Sequence, residues 1–283
     1  MEWRAGAAVV TALIGFVALE RGRPLRKQVE PSLRREVRNL TMASVAGLCV
    51  ALVQTPLVLP LTILVDARRV GLLKLVPLPP VVETLIAVML MDYTLYLWHV
   101  LTHKSDFLWR FHAAHHVDLD LSTTTAIRFH FGEMLLSMPF RAAQIVVLGV
   151  SPSAFLIWQT LTTIQILFHH SNVALPIGVE RWLSFVIVTP RMHGIHHSVV
   201  RAETDSNWST IFSFYDRLHR TLRLDVAQSE ITIGLPAYPQ PEEVTLWNSL
   251  MLPFRRVFHR WARPGQIAPE RGPSQGDETT LVP

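Results

Sequence analysis

Residues 98–116 have the sequence WHVLTHKSDFLWRFHAAHH, which contains five histidines in two spaced motifs. His99 and His103 form H-x-x-x-H, and His112 begins an H-x-x-H-H motif. Positions i, i+3 and i+4 of a helix lie on one face, so each motif can direct its imidazoles towards a single point. The segment therefore predicts a helical cluster of histidines.

The cluster extends well beyond this segment. A second H-x-x-H-H motif begins at His193, and eleven of the thirteen histidines lie between Asp92 and His197. Converging neutral imidazoles are typical metal ligands. Eight histidines of the three motifs are therefore candidate ligands: His99, His103, His112, His115, His116, His193, His196 and His197. The isolated His219 and His259 are interpreted as ordinary hydrogen-bonded residues.

The number of histidines indicates two metal ions. A structural zinc site takes four ligands and a catalytic one takes three, so eight are too many for one ion. The chain has no H-E-x-x-H motif and no Glu followed three residues later by His, which excludes the zincin and soluble di-iron patterns. An all-nitrogen site fits iron, zinc or copper.

Composition indicates an integral membrane protein. The 283 residues are 49% hydrophobic and 17% charged, with a mean hydropathy of +0.28, and the apolar residues form long blocks. The single cysteine, Cys49, excludes an intrachain disulfide or a thiolate cluster. The net charge of +4 does not indicate nucleic-acid binding, because the basic residues cluster beside apolar segments, where we expect them to face anionic lipid.

Five apolar segments are predicted to enter the membrane: Ala5–Leu19, Leu40–Val65, Val81–Val100, Met134–Val150 and Ser153–Phe168. Pro56 and Pro60 should kink the second, and the last two should form a tight hairpin that either spans the bilayer or dips into it. The segment 21–38 carries seven Lys or Arg residues, which predicts that it is cytoplasmic. Every histidine block then lies on that side, and the middles of the spans are expected to be apolar.

The predicted fold class is all-α, an integral membrane helical bundle with a cytosolic histidine-rich cap that holds a dimetal centre. Three parts are expected. Residues 1–80 contain N-terminal transmembrane helices and the basic loop, residues 81–225 form a catalytic domain, and residues 226–283 form a C-terminal extension. Residues 263–283 are rich in Pro, Gly and charge, so this tail is expected to be disordered.

The order of the three motifs resembles the fatty acid hydroxylase / sterol desaturase superfamily of membrane-bound non-haem di-iron oxygenases. The resemblance covers roughly 81–224. It includes residues outside the motifs: Asp92, Trp98-His99, Trp109-Arg110-Phe111, Arg128-Phe129-His130 with Glu133, His170-Ser171-Asn172, Glu203-Thr204-Asp205-Ser206-Asn207 and Asp216-Arg217-Leu218. Departures at Phe131 and at Trp208-Ser209 leave the substrate open.

The resemblance implies further site residues. It requires one ligand from the helix before the last motif, for which His170 is preferred over His169, and it adds His130 as a less certain ligand. Asp92, Asp205, Asn207 and Glu203 are candidates to orient imidazoles by accepting their second N–H, or are ordinary loop polar groups. Asp92 is the strongest of them, because a carboxylate inside an apolar span needs a partner.

The implied function is oxygenation of a lipid. Two iron ions, which zinc can replace on purification, would use O₂ as co-substrate to hydroxylate or desaturate a C–H bond of a fatty acyl, sterol-like or other isoprenoid lipid. The chain has no His-Pro-Gly-Gly segment, so a separate electron donor is expected, either cytochrome b5-like or a ferredoxin with its reductase. The alternative is a membrane zinc-binding or metal-transport protein, which the apolar spans disfavour. Bis-histidine haem ligation would leave two motifs unexplained.

Overall fold

The computed structural model describes residues 2–255, 261–272 and 280–281, so His259 lies outside the described residues. Over these ranges the predicted all-α fold is confirmed, with isolated β-bridges and no β-strand. The longer helices are α1 (Glu2–Gly22), α2 (Ser32–Cys49), α3 (Thr55–Ala67), α4 (Pro80–Lys104), α5 (Asp106–His116), α6 (Phe131–Leu148) and α7 (Pro152–His170). The shorter helices are α8 (Ile177–Leu183), α9 (Pro190–His196), α10 (Arg201–Thr204), α11 (Phe214–Leu218) and α12 (Leu246–Met251).

Four helical segments of the described chain are long and apolar enough to cross a membrane: Trp3–Gly22, Ser32–Lys74, Pro80–Lys104 and Phe131–Leu148. They correspond to the first four predicted segments. The fifth forms α7, which is not among the four. Its glutamines and threonines lower its hydropathy, and it packs between α1 and α4. The number of passes and the side on which the histidines lie remain predictions.

The second span is interrupted where its prolines begin. Residues 50–54 form a π-helical turn between α2 and α3, and Pro56 follows at the start of α3. Proline cannot donate a backbone N–H and its ring clashes with the preceding turn, so a wider turn accommodates it. Pro60 lies inside α3. The sequence therefore located this irregularity correctly.

Helices α6 and α7 are joined by the short link 149–151, in agreement with the predicted turn, and α7 returns the chain to the histidines. They do not pack mainly on each other: α6 packs chiefly on α2 and α3 and α7 chiefly on α1 and α4, although α3 and α4 contact both. The link between them touches the loop after α3. Gly149 has a φ of +79° and faces Gly71, where a Cβ on Gly71 would lie 2.3 Å from the Gly149 nitrogen. Only glycine permits this close approach at the end of the bundle away from the histidines.

The bundle has an apolar core formed by α3, α4, α6 and α7. The expectation of apolar helix middles is nevertheless wrong at two positions, Asp92 in the middle of α4 and Arg141 in the middle of α6. Arg141 lies midway along α6, where its guanidinium stacks 4.2 Å from the Trp158 ring and donates to Gln144 at 2.7 Å. The aromatic face and the amide provide the contacts that a positive charge in an apolar region needs.

The basic segment 21–38 was expected to face lipid, and this is wrong for two of its arginines. Arg35 and Arg38 are 1% and 6% exposed, and both form ion pairs with acidic groups of the loop that follows α5. Arg38 bonds Asp118 at 2.8 Å and also pairs with Glu30. Burial raises the pKa of Asp118, but Arg35 and neighbouring guanidinium groups outweigh it and lower the pKa overall. The segment therefore anchors the loop behind the histidine helix α5.

The predicted C-terminal extension covers the other side of α5. Leu235, Tyr238 and Leu252 pack against Trp109 and Ala113. In the described part of the predicted disordered tail, Arg271 pairs with Glu203 at 2.7 Å and Leu281 packs on Met192. Residues 273–279 and 282–283 lie outside the described residues. Helix α5 is thus enclosed by chain from both ends of the sequence.

Candidate metal centre

The structure brings nine histidines together in two groups. In the first group, five ring nitrogens lie within 4.8 Å of one another, and they belong to His99, His103, His112, His116 and His196. In the second group, four lie equally close, and they belong to His115, His170, His193 and His197. The groups adjoin, because the rings of His116 and His197 stack with centroids 4.2 Å apart. The nine residues are those proposed as ligands from the sequence.

Each H-x-x-H-H motif supplies both groups. Helix α5 directs His112 and His116 to the first group and His115 to the second. The last motif does the opposite, since His193 and His197 join the second group and His196 joins the first. Residues four apart stay together, while the residue between them points to the neighbouring group. Two imidazoles of each H-x-x-H-H motif therefore converge, as the helix spacing predicts, while the third belongs to the other group.

Hydrogen bonds fix the tautomer of three rings in the first group. The Nδ1 atoms of His99 and His196 lie 2.8 Å from the carbonyl oxygens of Trp208 and Ser206. A carbonyl can only accept, so each Nδ1 carries the proton and Nε2 keeps its lone pair. His112 Nδ1 lies 2.9 Å from Glu133 Oε1, which has the same effect. This second contact of the imidazole is typical of metal-bound histidine.

The free nitrogens of the first group have no protein partner. Nε2 of His103, His112, His116 and His196 is buried without a hydrogen bond in the described residues. Buried polar atoms are almost always paired, so four such atoms directed at one point need an explanation. A metal ion that accepts their lone pairs supplies it.

The second group is more tightly arranged. Nε2 of His170 lies 3.0 Å from Nε2 of both His115 and His193, and His193 Nε2 lies 3.1 Å from that of His197. The His193 nitrogen carries at most one proton, so its two contacts cannot both be full hydrogen bonds. Adjacent ligands at about 2.1 Å from one ion would be separated by about 3 Å. These distances therefore fit coordination of an ion.

The imidazoles outside the membrane-spanning segments are held neutral. Burial lowers the pKa of His115, His116, His193, His196 and His197 well below 6.5, and the neighbouring imidazoles lower each pKa further. A neutral ring has a free lone pair at pH 7, whereas a protonated ring has none. The site thus presents donors that are ready to bind a cation.

The predicted role of Asp92 is wrong in its direct form. Its carboxylate accepts the backbone N–H groups of Ile211 and Phe212 at 3.2 and 3.0 Å, and no imidazole of the described residues donates to it. These residues continue the loop whose Trp208 carbonyl accepts from His99. Asp92 therefore acts on His99 indirectly, by holding the loop whose carbonyl orients that imidazole.

Asn207 and Glu203 also bond groups other than imidazoles. Asn207 has a φ of +52° and donates to the carbonyls of Met192 and Arg223, so it shapes the same loop. Glu203 pairs with Arg271. Asp205 lies 4.0 Å from His103 Nδ1, beyond hydrogen-bond distance, and bonds Lys104 at 2.8 Å.

The less certain ligands lie outside both groups. His130 accepts the Gly132 N–H as the N-cap of α6, and its Nε2 lies 3.0 Å from the Leu250 carbonyl. The ring of His169 lies 4.1 Å from that of His193, but it bonds the backbone of Thr210. His219 stacks on two tyrosines, as expected of an ordinary structural residue.

Residues 84–221 match the family model described as fatty acid hydroxylase. This match covers just under half of the 283 residues. The chain is 31% identical over 157 residues to an ornithine lipid hydroxylase of Rhizobium tropici, covering 56% of this chain and 46% of that protein. It is 22% identical to human alkylglycerol monooxygenase over 60% of this chain and 36% of that protein.

A cholesterol 25-hydroxylase of Mus musculus is 26% identical over 50% of this chain and 47% of its own length. The alignment thus spans less than half of each of these relatives. No solved structure matches the chain. The matched region, 84–221, includes neither of the segments that enclose α5, since these come from 23–39 and 226–255.

The contact between Glu133 and the candidate ligand His112 was not predicted from the sequence. Glu133 contacts His112 across 21 positions of the chain. A signal was present, because Glu133 is an acidic group in the first turn of an apolar helix that begins inside the histidine-rich segment. The carbonyls of Ser206 and Trp208 left no signal, since any residue type offers one.

Proposed function

We propose that the protein is a membrane-bound di-iron oxygenase that hydroxylates a C–H bond of a lipid, using O₂ and electrons from a separate cytochrome b5-like or ferredoxin partner. The observation that carries the proposal is the convergence of nine imidazoles, eight buried and His99 partly buried, whose ring nitrogens form two adjoining groups. The relatives are named as hydroxylases or monooxygenases, which favours hydroxylation over desaturation.

The proposed catalytic region is 81–225. Iron bound by the two groups would supply the O₂-activating chemistry, which no side chain here can supply. The protein contributes neutral donors, fixed tautomers and a site from which most water is excluded. His99 and His103 lie in the last turns of α4, one of the four apolar segments, so a lipid can approach along that helix.

The alternative of a metal transporter has less support. Transport of a cation through the bundle needs polar ligands along the spans. In the described spans, the charge in the middle of α6 is Arg141, a fixed cation that repels metal ions. A zinc-binding protein without oxygenase activity remains the second candidate, because imidazoles suit zinc as well as iron.

The test is metal analysis and turnover of the detergent-purified protein. We expect about two irons per chain, with reductant-dependent O₂ uptake and a hydroxylated lipid detected by mass spectrometry. His219→Ala is the matched control. His219 is exposed and lies outside both groups, so its substitution should leave metal content and turnover unchanged. Stoichiometric zinc without O₂ uptake after iron loading would establish the zinc-binding alternative. A protein that retains no metal would refute both.

A further inference from the structure

A polar cavity of about 470 Å³ opens beside the first histidine group. Its lining includes His103, Asp106, Trp109, Arg201, Asp205 and Trp261. This volume lies in the range of small-molecule sites. Because His103 forms part of the wall, whatever fills the cavity contacts one candidate ligand of the metal centre. A pocket for an acyl chain or a sterol ring would be lined by aliphatic groups, whereas this one is lined by charged groups and indoles.

The cavity and its rim have a balanced set of charges. Asp106 forms no ion pair or side-chain hydrogen bond within the described residues, although it lies in the first turn of α5. Asp205 is shared between Lys104 at 2.8 Å and Arg201 at 3.9 Å. Two carboxylates thus face two cations. A single positive or negative ligand gains little net attraction there, whereas a zwitterion can pair with both signs.

The indoles complete this arrangement. The rings of Trp109 and Trp261 lie 5.9 Å apart, and both face the cavity that contains Asp106. An ammonium group between a carboxylate and aromatic faces gains both an ion pair and cation–π attraction. The Nε1 atom of Trp261 is buried and has no acceptor within the described residues.

Apolar side chains are exposed near the end of α4 and at the start of α5, the helix that begins at the cavity residue Asp106. Leu97, Leu101 and Phe107 are 40%, 46% and 56% exposed, and Phe107 follows Asp106 directly. Leu97 and Leu101 are four residues apart on one face of the helix. A lipid whose tail lies along these side chains would place its head at Asp106.

We propose that the cavity binds the zwitterionic head of the lipid substrate, with its ammonium at Asp106 and the two indoles and its acidic group at Arg201. The inference rests on the proposed function, because it names the substrate class of that metal centre. The C–H bond that reacts then lies in or next to the head, since His103 is part of the cavity wall. Amino-acid lipids and phosphatidylethanolamine share this chemistry.

The experiment is calorimetric titration of the iron-loaded protein with soluble short-chain probes. Two zwitterions are used, Nα-octanoyl-lysine and dihexanoyl phosphatidylethanolamine. Octanoate and the Nε-acetylated form of octanoyl-lysine, which lack the ammonium, serve as comparison ligands. We expect Asp106→Asn to weaken zwitterion binding about tenfold or more, since asparagine keeps an oxygen that can accept a hydrogen bond but removes the negative charge that pairs with the ammonium. Glu242→Gln, which changes an exposed carboxylate away from the cavity, should have no effect.

Each result has a defined meaning. An effect of Asp106→Asn on only one zwitterion identifies that head as the natural class. Equal binding of the acetylated probe, or unchanged zwitterion binding by Asp106→Asn at unchanged iron content, would refute the proposal. Arg201→Gln should weaken both zwitterions and so tests the other end of the cavity. Iron content and O₂ uptake are measured on the same samples, so binding without oxidation would count against the proposed function alone.

Discussion

The two histidine groups are built in different ways. In the second group all four histidines are at most 2% exposed, and they come from α5, α7, α9 and the residue after α9. The first group borders the polar cavity through His103 and is partly open at His99. Three of its rings are oriented by Glu133 and by carbonyls of the loop 206–208.

The imidazoles of the two groups are thus oriented by different kinds of contact. The second group is held mainly by helix packing, together with the Phe129 ring that stacks on His115. Among its hydrogen bonds within the described residues, the contact of His170 with a carbonyl is made inside its own helix. The first group depends on a loop and a carboxylate that can change without unfolding the bundle. We infer that the second group holds its ion more permanently, whereas the first exchanges its ion and meets the substrate.

The largest expected effect is loss of one ion at a time. His196→Ala removes a donor from the first group and His115→Ala removes one from the second, so each should lower the metal content from about two ions per chain to about one. The ion that remains in His196→Ala should resist a chelator, while the ion that remains in His115→Ala should be removed quickly. Metal analysis during a chelator time course measures both quantities.

The control for this pair is His219→Ala, which should keep both ions. If either variant instead lost both ions together, the two groups would be one cooperative site and the contrast between them would fail. Equal chelation rates in the two variants would contradict only the inference about access.

The second-largest expected effect concerns Arg38, which anchors the loop after α5, the helix that carries histidines of both groups. Arg38→Ala leaves the carboxylates of Glu30 and Asp118 buried without this partner, which should lower the free energy of unfolding by about 3–5 kcal/mol. Because α5 serves both groups, both ions should be held more weakly and by similar factors. Arg34→Ala, on the exposed face of the same helix, is the matched control.

Thermal unfolding in detergent and competitive metal titration measure these two effects. A loss confined to one group would show that the loop after α5 supports that group alone. An unfolding free energy equal to that of Arg34→Ala would mean that the buried pairs contribute no net stability.

Local spacing explains what could be predicted. The i, i+3, i+4 pattern identified the eight motif histidines, since it follows from helix geometry alone. It did not show that His115 and His196 leave their motif partners, because that division depends on how α5, α7 and α9 cross. The apolar blocks likewise predicted the helices, including the break before Pro56, but not the divergence of α6 and α7.

Long-range pairing explains what could not be predicted. Arg38 lies 80 positions from Asp118, so a cluster of basic residues was taken for a lipid-facing surface. Asp92 was expected to bond an imidazole, but its partners are backbone groups 119 and 120 positions away. Almost every residue type offers the same backbone groups, so the sequence does not indicate which of them a side chain will bond; the folded structure is needed for that.

The smallest effect concerns the carboxylate that distinguishes the two groups. Glu133→Gln keeps an oxygen that can accept from His112 Nδ1 but removes the charge that makes the imidazole a stronger donor to metal. We expect metal affinity in the first group to fall by about 10- to 100-fold while affinity in the second is unchanged. Competitive titration of the two ions gives both constants, with Glu242→Gln as the control. Weakening of both groups would mean that Glu133 acts through the fold of α6, since a charge effect should be confined to the imidazole that it contacts.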